Sequence, residues 1–365
     1  MDLYRAVNER DEARHLVASL MNFVDQGYSL KDLVVFYRIH AQSRVIEEEL
    51  RRNNIQYKII GGVKFYARKE IKDVLAYLRV IDNPGDELSL RRILNVPKRG
   101  IGPKALDAIV ARMAEEQRSF FDAIAAYAAS DAAPKKVKKE LGEFMALLRS
   151  LHDERNEIGL QTLVEAVLDR SGYVAELKLE NTIDAKMRLE NIEEFVNSIV
   201  EFEQSLALDE SAEALRRYLE FISLQTDVDQ FNETEEVFTL MTLHCAKGLE
   251  FPVVFIVGLE EELLPHSNSL NAALRDVEEE RRLCYVGFTR AKERLCLSYA
   301  TMRKLYGYEK MVQPSRFVRE IPPHMVKSSY DLNDLYDLDA DDGFDEFDQT
   351  GRSAYSRLGS MPHFK

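Results

Sequence analysis

The chain has 365 residues and a net charge of −14 at pH 7, with 45% hydrophobic and 31% charged residues. This length supports two domains, each with its own core. No apolar run is long enough for a membrane span, and no apolar signal segment opens the sequence, so we expect a cytoplasmic protein without a membrane partner. The cysteines, Cys245, Cys284 and Cys296, form no CxxC pair and are typical of small core residues in a reducing compartment.

The negative charge is concentrated near the carboxyl terminus. Residues 331–348 hold nine acidic residues and no basic one, which leaves −5 for the rest of the chain. The overall acidity therefore does not exclude nucleic acid, because such binding depends on local basic surface. We expect residues 326–365 to form an acidic, disordered tail that is either a solvated spacer or a partner-binding segment.

From residue 1 to about residue 82, short apolar runs alternate with amphipathic helical patterns. This alternation predicts βαβ units in a mostly parallel sheet. Val45, Ile46 and Leu50 fall on one helical face. The predicted elements are a strand at 32–39, a helix at 41–54, a strand at 57–60 and a helix at 69–81.

The strand pattern stops at about residue 83 and returns after residue 235. Helical patterns fill the interval, for example at 160–172 and 185–206, and strand patterns return at 237–244, 251–259 and 294–300. We therefore predict an α/β fold in which residues 1–82 and 236–325 form one parallel-sheet domain. Residues 83–235 are predicted to be an all-helical insertion.

Polar residues follow two of the predicted strands, where open α/β sheets bind ligands. Thr242, His244, Lys247 and Glu250 come after one strand, and Tyr37 and Arg38 end another. The Lys247–Gly248 pair lets the backbone approach a polyanion while the lysine supplies charge, although such turns are also common on surfaces. Arg38 could equally pair with a neighbouring glutamate.

Arg290 follows an acidic helical pattern and precedes a predicted strand. With Arg38, Lys247 and Glu250 it forms a constellation suited to a triphosphate. Guanidinium groups match phosphate oxygens in a bidentate manner and stay charged, which favours this interpretation.

A further basic stretch lies at residues 96–106, VPKRGIGPKAL, before a predicted helix. Backbone amides beside basic side chains can hold a phosphate backbone without reading its sequence, although many such turns only reverse the chain. The candidate phosphate-binding residues are Lys98, Arg99, Gly100, Gly102 and Lys104.

Five segments resemble, in order and spacing, the later motifs of superfamily 1 DNA helicases of the UvrD/Rep/PcrA group, and the PcrA branch is the nearest likeness. They are VVFYRIHAQSRVIEEEL, GGVKFYARKEIKDVLAYLRVI, NVPKRGIG, LMTLHCAKGLEFPVVFIVGLEEELLPH and EEERRLCYVGFTRAKERL. The resemblance covers residues 1 to about 325. It implies the C-terminal half of such a helicase, with the second RecA-like motor domain interrupted by a mobile helical subdomain that contacts duplex DNA.

The resemblance also implies roles at a nucleotide cleft. Arg38 and Arg290 would act as arginine fingers on the γ-phosphate of ATP, an effect worth roughly 10³ to 10⁵ in rate in well-studied systems. Tyr37 would stack on adenine and Glu250 would accept hydrogen bonds from the ribose.

Other residues would contact single-stranded DNA by the same resemblance. Thr242 and His244 would touch phosphates, with Lys247 beside them, and Tyr306 would stack on a base. The alternatives are that His244 caps a strand through a hydrogen bond and that Tyr306 is a core aromatic residue.

The sequence contains no G-x-x-x-x-G-K-[ST] loop and no acidic strand that would hold magnesium. We therefore expect no metal site here, and expect ATP and Mg²⁺ to be held mainly by an N-terminal RecA-like half, in cis or as a separate chain. The isolated chain should not hydrolyse ATP, because arginine fingers act only on a bound nucleotide.

Three functional hypotheses follow. The first is the C-terminal portion of an ATP-dependent 3′–5′ DNA helicase in repair or replication, with the polarity implied by the resemblance. The alternative is a stand-alone DNA-binding or regulatory module without ATPase activity, and a third is an inactive remnant. Single-stranded and duplex DNA are the expected partners.

Overall fold

The computed structural model describes residues 1–206, 213–227, 236–270, 274–305 and 308–328. Strands and helices alternate at the start, as β1 (Asp2–Ala6), α1 (Glu9–Asp25), β2 (Leu33–Tyr37), α2 (Ser43–Arg52) and β3 (Tyr57–Ile60). A helical region follows, with α3 (Lys69–Asp82), α4 (Glu87–Ile93), α5 (Pro103–Glu116), α6 (Phe120–Ala129), α7 (Lys135–Glu154), α8 (Leu160–Arg170), α9 (Tyr173–Glu180), α10 (Ile183–Ser205) and α11 (Ala214–Asp227).

The last third of the described chain returns to strands. Its elements are β4 (Phe238–Thr242), β5 (Phe251–Ile256), α12 (Ser267–Leu270), α13 (Leu274–Phe288), β6 (Ala291–Ala300), β7 (Met302–Leu305), β8 (Tyr308–Met311), α14 (Arg316–Arg319) and β9 (Lys327–Ser328). None of the described helices is both long and apolar enough to pass through a bilayer.

A seven-stranded sheet has the order β3-β4-β2-β5-β6-β1-β9, and each neighbouring pair in it is parallel. The predicted α/β class with a parallel sheet is thus confirmed. All five residues of β2 are buried, because side chains on both faces of this central strand are covered. The antiparallel hairpin of β7 and β8 was not predicted, and neither was β1, in which only Leu3 and Ala6 are buried.

The predicted helix faces are also confirmed at α2. Val45, Ile46 and Leu50 are buried against the sheet, in a cluster that includes α1 residues such as Leu16 and Leu20. At the start of α1 the side chain of Asn8 accepts a hydrogen bond from the Asp11 amide, which caps the helix.

The hydrophobic packing separates a helical cluster from the two faces of the sheet. That cluster begins at Phe65 and includes the apolar face of α3, through Ile81. The predicted boundary after residue 82 remains a prediction, and the packing favours an earlier one. At the other boundary, Lys327 and Ser328 pair with β1, inside the segment predicted to be the tail. Residues 329–365 lie outside the described residues.

A buried arginine joins the helical cluster to the sheet. Arg44 of α2 is 1% exposed, and its Nε donates to Glu194 Oε1 of α10 at 2.6 Å. Its Nη1 lies 3.0 Å from Glu48 and 3.1 Å from Glu201. Burial strongly disfavours the charged Arg44, but the three carboxylates outweigh it and hold its pKa well above the usual value.

Candidate functional site

The carboxyl ends of β2 and β4 bring two predicted site segments together. Tyr37 and Thr242 are register partners at the ends of these adjacent strands, so Arg38 and His244 both emerge at the same edge of the sheet. Thr242 is buried and its hydroxyl donates to Cys245 Sγ at 3.4 Å. His244 follows in a 3₁₀ turn and is exposed.

The electrostatics keep His244 neutral near physiological pH. Burial of part of the ring lowers its pKa, the Arg38 charge lowers it further, and Glu280 raises it by a smaller amount. Within the described residues its side chain makes no hydrogen bond, so the alternative of a strand-capping histidine gains no support. A neutral imidazole can donate one hydrogen bond to a phosphate oxygen.

Arg38 is held by Glu280 of α13. Its Nε donates to both carboxylate oxygens, at 3.2 and 2.9 Å, and its Nη2 donates to Oε1 at 2.7 Å. The side chains are 17% and 6% exposed. The alternative in which Arg38 pairs with a glutamate therefore describes this conformation, although the partner is distant in sequence.

Glu280 also organises the segment that follows β5. Its Oε2 accepts a hydrogen bond from the His266 amide at 3.1 Å, and the His266 ring lies 3.4 Å from Glu190 of α10. Sequence reasoning missed Glu280. The helical period of α13 could have indicated that Glu280 faces the sheet. Cys284 and Gly287, four and seven residues after Glu280, are buried on the same face of this helix.

Tyr37 has no exposed surface in this structure. Its ring packs on the α1 and α2 side of the sheet, edge-on to His40 with ring centroids 6.2 Å apart. Its hydroxyl has no hydrogen-bond partner, and burial raises its pKa well above the usual value. In this conformation the ring presents no face to a nucleotide base, so adenine stacking remains a prediction that requires the side chain to move.

Glu250 and Arg290 lie at the opposite edge of the sheet. Glu250 immediately precedes β5 and Arg290 immediately precedes β6, and the Phe251 amide donates to the Arg290 carbonyl at 3.0 Å. Glu250 lies in the segment that follows β4, as predicted, but at the far end of that segment, next to the amino end of β5. The short link between β4 and β5 carries the chain from one edge to the other.

Arg290 is held by oxygen atoms of its own neighbourhood. Nε donates to Val286 O at 3.0 Å, Nη1 to Leu249 O at 3.2 Å and Nη2 to Thr289 Oγ1 at 3.0 Å. It forms no salt bridge with a carboxylate of the described chain, whereas Glu250 lies 3.8 Å from Lys292 Nζ. Arg290 thus keeps its charge available for an anion.

The backbone positions of Arg38 and Arg290 lie at different edges of the sheet, one after β2 and one before β6. Glu280, which binds Arg38, lies about 12 Å along the helix axis from Phe288, the last residue of α13. Lys247 is exposed between the two edges, next to Gly248, whose φ of +84° requires a residue without a Cβ atom. The joint contact of Arg38, Arg290, Lys247 and Glu250 with one triphosphate therefore remains a prediction.

Four of the five candidate residues in the basic turn before α5 are exposed. Lys98, Gly100, Gly102 and Lys104 are exposed, and Gly102 is the N-cap of α5. Arg99 instead points into the protein and donates to main-chain carbonyl oxygens, its guanidinium 4.6 Å from the centre of the Phe144 ring. Arg99 is half-buried, and its guanidinium is thus engaged in holding the turn.

Two further observations concern the predicted DNA-stacking residue and the question of a metal site. Tyr306 lies outside the described residues. Groups of three or more potential metal-ligating side chains do not occur within the described chain.

A cavity of about 710 Å³ lies between α10 and the carboxyl edge of the sheet. Nine glutamates line it, against three lysines and one arginine, so it is unsuited to a polyanion such as DNA or a nucleotide. The candidate site is therefore on the exposed sheet edges and the basic turn.

Comparison with known proteins gives consistent matches. A model of the UvrD-like helicase C-terminal domain matches residues 1–302. The chain is similar to the ATP-dependent DNA helicase PcrA of Staphylococcus aureus strain MRSA252, with 42% identity over 326 residues, and to that of Staphylococcus epidermidis strain ATCC 12228, with 43% identity over 326 residues. Each alignment covers 89% of this chain and 44% of the relative, so the chain spans less than half the length of these relatives.

Proposed function

The chain belongs to the UvrD-like helicase C-terminal domain family, and from this premise we propose that it is the C-terminal part of an ATP-dependent 3′–5′ DNA helicase. The observation that carries the proposal is the family match over residues 1–302, together with 42% identity to a protein named as an ATP-dependent DNA helicase. The sheet would be the second RecA-like motor domain, and the helical cluster its insertion subdomain.

Single-stranded DNA would bind along the carboxyl edge. Thr242, His244 and Lys247 occupy one strand end and the turn after it, and the latter two are exposed. A neutral imidazole, a hydroxyl and an ammonium group can bind phosphate oxygens without reading base identity. Such contacts fit a motor that moves along any sequence.

ATP would be a shared substrate. Arg290 and Glu250 fit one wall of a nucleotide cleft, because the guanidinium is free of carboxylates and the carboxylate is exposed. Arg38 and Tyr37 do not fit in this conformation, since one is paired with Glu280 and the other is buried. Release of Arg38 from Glu280 would have to accompany nucleotide binding.

An N-terminal RecA-like half would supply the phosphate-binding loop and most Mg²⁺ ligands. In that arrangement Arg290 would stabilise the charge that develops on the transferred phosphoryl group, as arginine fingers do. This chain would contribute no phosphate cradle, so on its own it should not hydrolyse ATP.

A second candidate is a DNA-binding or regulatory module that modulates a complete helicase. The division of the nucleotide-binding residues between two edges favours it, because the DNA-binding edge would be formed without a partner. The two candidates differ in one property. Only the first predicts ATP hydrolysis when an N-terminal half is added.

Fluorescence anisotropy with a labelled single-stranded oligonucleotide tests the DNA-binding part. The His244→Ala/Lys247→Ala variant should bind more weakly, with the slope of log affinity against log salt reduced by about 0.7 for the lost Lys247 charge, because a neutral His244 displaces no counterion. A matched control is His324→Ala/Lys327→Ala, which removes the same residue types from exposed positions elsewhere. Equal effects of the two variants, or no salt-dependent binding by the wild-type chain, would contradict the proposal.

A further inference from the structure

Residues 331–348, which lie outside the described residues, form an acidic segment that carries the charge of a polyanion. The acidic segment has nine acidic residues in 18 positions and no basic residue. In an extended chain this composition places one negative charge about every 6.6 Å, whereas one strand of DNA carries one about every 3.4 Å. The acidic segment can therefore bind the same cations as DNA, but with about half the charge density.

Most of the chain offers the acidic segment no attraction. The residues outside it have a net charge of −5, and some exposed arginines already pair with glutamates. Arg281 pairs with Glu320, and Arg316 lies 2.8 Å from Glu261. Paired charges largely cancel each other at a distance, so a polyanion binds where unpaired cations are close together.

Four exposed lysines lie close together at the basic turn before α5. The Nζ atom of Lys136, in the first turn of α7, lies 3.9 Å from the point that a Cβ atom would occupy on Gly100. Lys135 precedes it, Lys98 lies in the turn and Lys104 lies in the first turn of α5. None of the four forms a salt bridge with another residue of the described chain. We call these four the lysine surface.

The carboxylates of this region reduce its positive charge only in part. Asp131 and Glu143 are paired with other lysines of α7, and Glu176 accepts a hydrogen bond from the Lys98 amide at 3.2 Å. The first turns of α5 and α7 contain no acidic residue. The positive ends of these two helix dipoles therefore add to the field of the lysines.

The lysine surface is formed without a ligand. The Asn95 side chain accepts hydrogen bonds from the Arg99 amide at 2.8 Å and from the Ile101 amide at 3.2 Å. Gly100 has a φ of +71°, which a residue with a Cβ atom rarely adopts. The shape of the turn is thus fixed by the chain itself, and an anion can bind there without any rearrangement.

The length of chain after β9 is sufficient for the acidic segment to bind at a distance from the sheet edge. β9 ends at Ser328, the last described residue. The residues from 329 to 348 span up to about 66 Å when extended. A compact body of the size of the preceding chain has a radius of gyration of about 20 Å, which corresponds to a sphere about 50 Å across. The later acidic residues can therefore reach surfaces well beyond β9.

We propose that the acidic segment binds to the lysine surface of the same chain when DNA is absent, and that it is an internal competitor of the DNA backbone. DNA occupies this surface only after the acidic segment has left. If the acidic segment occupies the surface nine-tenths of the time, the apparent affinity for DNA there falls about tenfold. This inference goes beyond the proposed function to its regulation, and rests on it only for the competition with DNA.

Lysine acetylation, followed by mass spectrometry, tests the contact without DNA. The full chain is compared with a full-chain variant that carries Asp337→Asn, Asp339→Asn, Asp341→Asn, Asp342→Asn and Asp345→Asn. At 50 mM salt Lys135 and Lys136 should react about tenfold faster in the variant, and the difference should vanish at 1 M salt, where the Debye length is about 3 Å. Lys58, exposed on β3, is the internal control and should react equally in both chains.

Anisotropy with a labelled DNA duplex tests the competition. At 50 mM salt the five Asp→Asn substitutions should raise the affinity about tenfold in the wild-type background and less than about threefold in the Lys135→Ser/Lys136→Ser background. The Lys138→Ser/Lys139→Ser background is the matched control, since it removes the same charge from the same helix, and it should keep the tenfold gain. An equal gain in all three backgrounds would mean that the acidic segment only repels DNA, and would overturn the proposal.

The remaining outcomes separate this inference from the proposed function. If Lys135 and Lys136 react equally in both chains while both chains bind DNA, the inference fails and the proposed function stands. If the lysines are protected but neither chain binds DNA, the contact stands and the proposed function fails. Protection that increases with protein concentration would mean that the acidic segment binds a second copy, which contradicts a contact within one chain.

Discussion

Replacing Glu280 with Gln tests how firmly Arg38 is held away from a ligand. The substitution keeps the shape of the side chain but removes the charge that accepts three contacts of 2.7 to 3.2 Å from the guanidinium. Exposed ion pairs contribute up to about 1 kcal/mol, whereas breaking a fully buried pair costs about 3–5 kcal/mol. The Arg38 and Glu280 side chains are 17% and 6% exposed, so this pair is intermediate between an exposed and a fully buried ion pair. We therefore expect the substitution to lower the free energy of unfolding by about 2 kcal/mol.

The effect should depend on pH. Burial acts to raise the pKa of Glu280, but the hydrogen bonds and charge of Arg38, together with the His266 amide, outweigh it and hold the pKa below its usual value. A carboxylate with a lowered pKa in the folded state stabilises fully above its unfolded pKa, and this contribution is lost as the pH falls through the folded value. The difference between wild type and Glu280→Gln should therefore be largest near neutral pH and shrink below a pH of about 4.

Urea unfolding of the wild type, Glu280→Gln, Arg38→Met and the double variant measures the coupling. We expect a coupling energy of about 1–3 kcal/mol between the two positions. Glu279→Gln is a matched control on the same helix, because Glu279 is 76% exposed and its loss should change stability by less than about 0.5 kcal/mol. A coupling energy near zero, or a Glu280→Gln effect that is the same at every pH, would refute the reasoning.

Three further predictions concern packing, and thermal or urea unfolding checks each of them. Gly287→Ala should lower the free energy of unfolding by about 1–3 kcal/mol, because the added Cβ would lie 2.5 Å from Leu243 Cδ2. Gly142→Ala should raise it by about 0.5–1 kcal/mol, because Gly142 is at an exposed helix position where no atom lies within 4 Å of an added Cβ. Destabilisation by both substitutions would contradict this contrast. Tyr37→Phe should be neutral or stabilising by up to about 1 kcal/mol, since the buried hydroxyl has no partner, and a clear loss of stability would mean that it has one. Arg44→Met should cost about 3–5 kcal/mol because it leaves three carboxylates without their buried partner, and a neutral result would mean that water replaces the guanidinium.

The regular elements of the sheet could be predicted because their patterns are local. β3 spans Tyr57–Ile60, as its apolar run predicts, and the α2 face carries the three predicted apolar residues. β1 escaped prediction because its polar and apolar residues alternate over only five positions. The boundary near residue 82 depends on whether α3 packs on the sheet or on later helices, and a helical period does not specify the partner.

The site was harder to predict than the fold. The prediction that Arg38 and His244 lie at the same edge of the sheet was correct. They follow β2 and β4, and the register of these neighbouring parallel strands brings both residues to that edge. Glu280 contacts Arg38 only through tertiary packing, over a separation in sequence that no local pattern reports. Arg99 shows the converse, since a basic residue in a basic motif is engaged with carbonyl oxygens inside the fold.

The central claim is that this chain supplies Arg290 to a nucleotide cleft completed by another domain. The direct measurement is DNA-stimulated ATP hydrolysis by the purified chain mixed with the N-terminal part of a PcrA relative, compared with the same mixture containing Arg290→Ala. We expect no hydrolysis by the chain alone, hydrolysis by the mixture, and a fall in kcat of roughly 10³-fold or more on substitution of Arg290. Hydrolysis by the chain alone, or a mixture whose kcat is unaffected by Arg290→Ala, would contradict it.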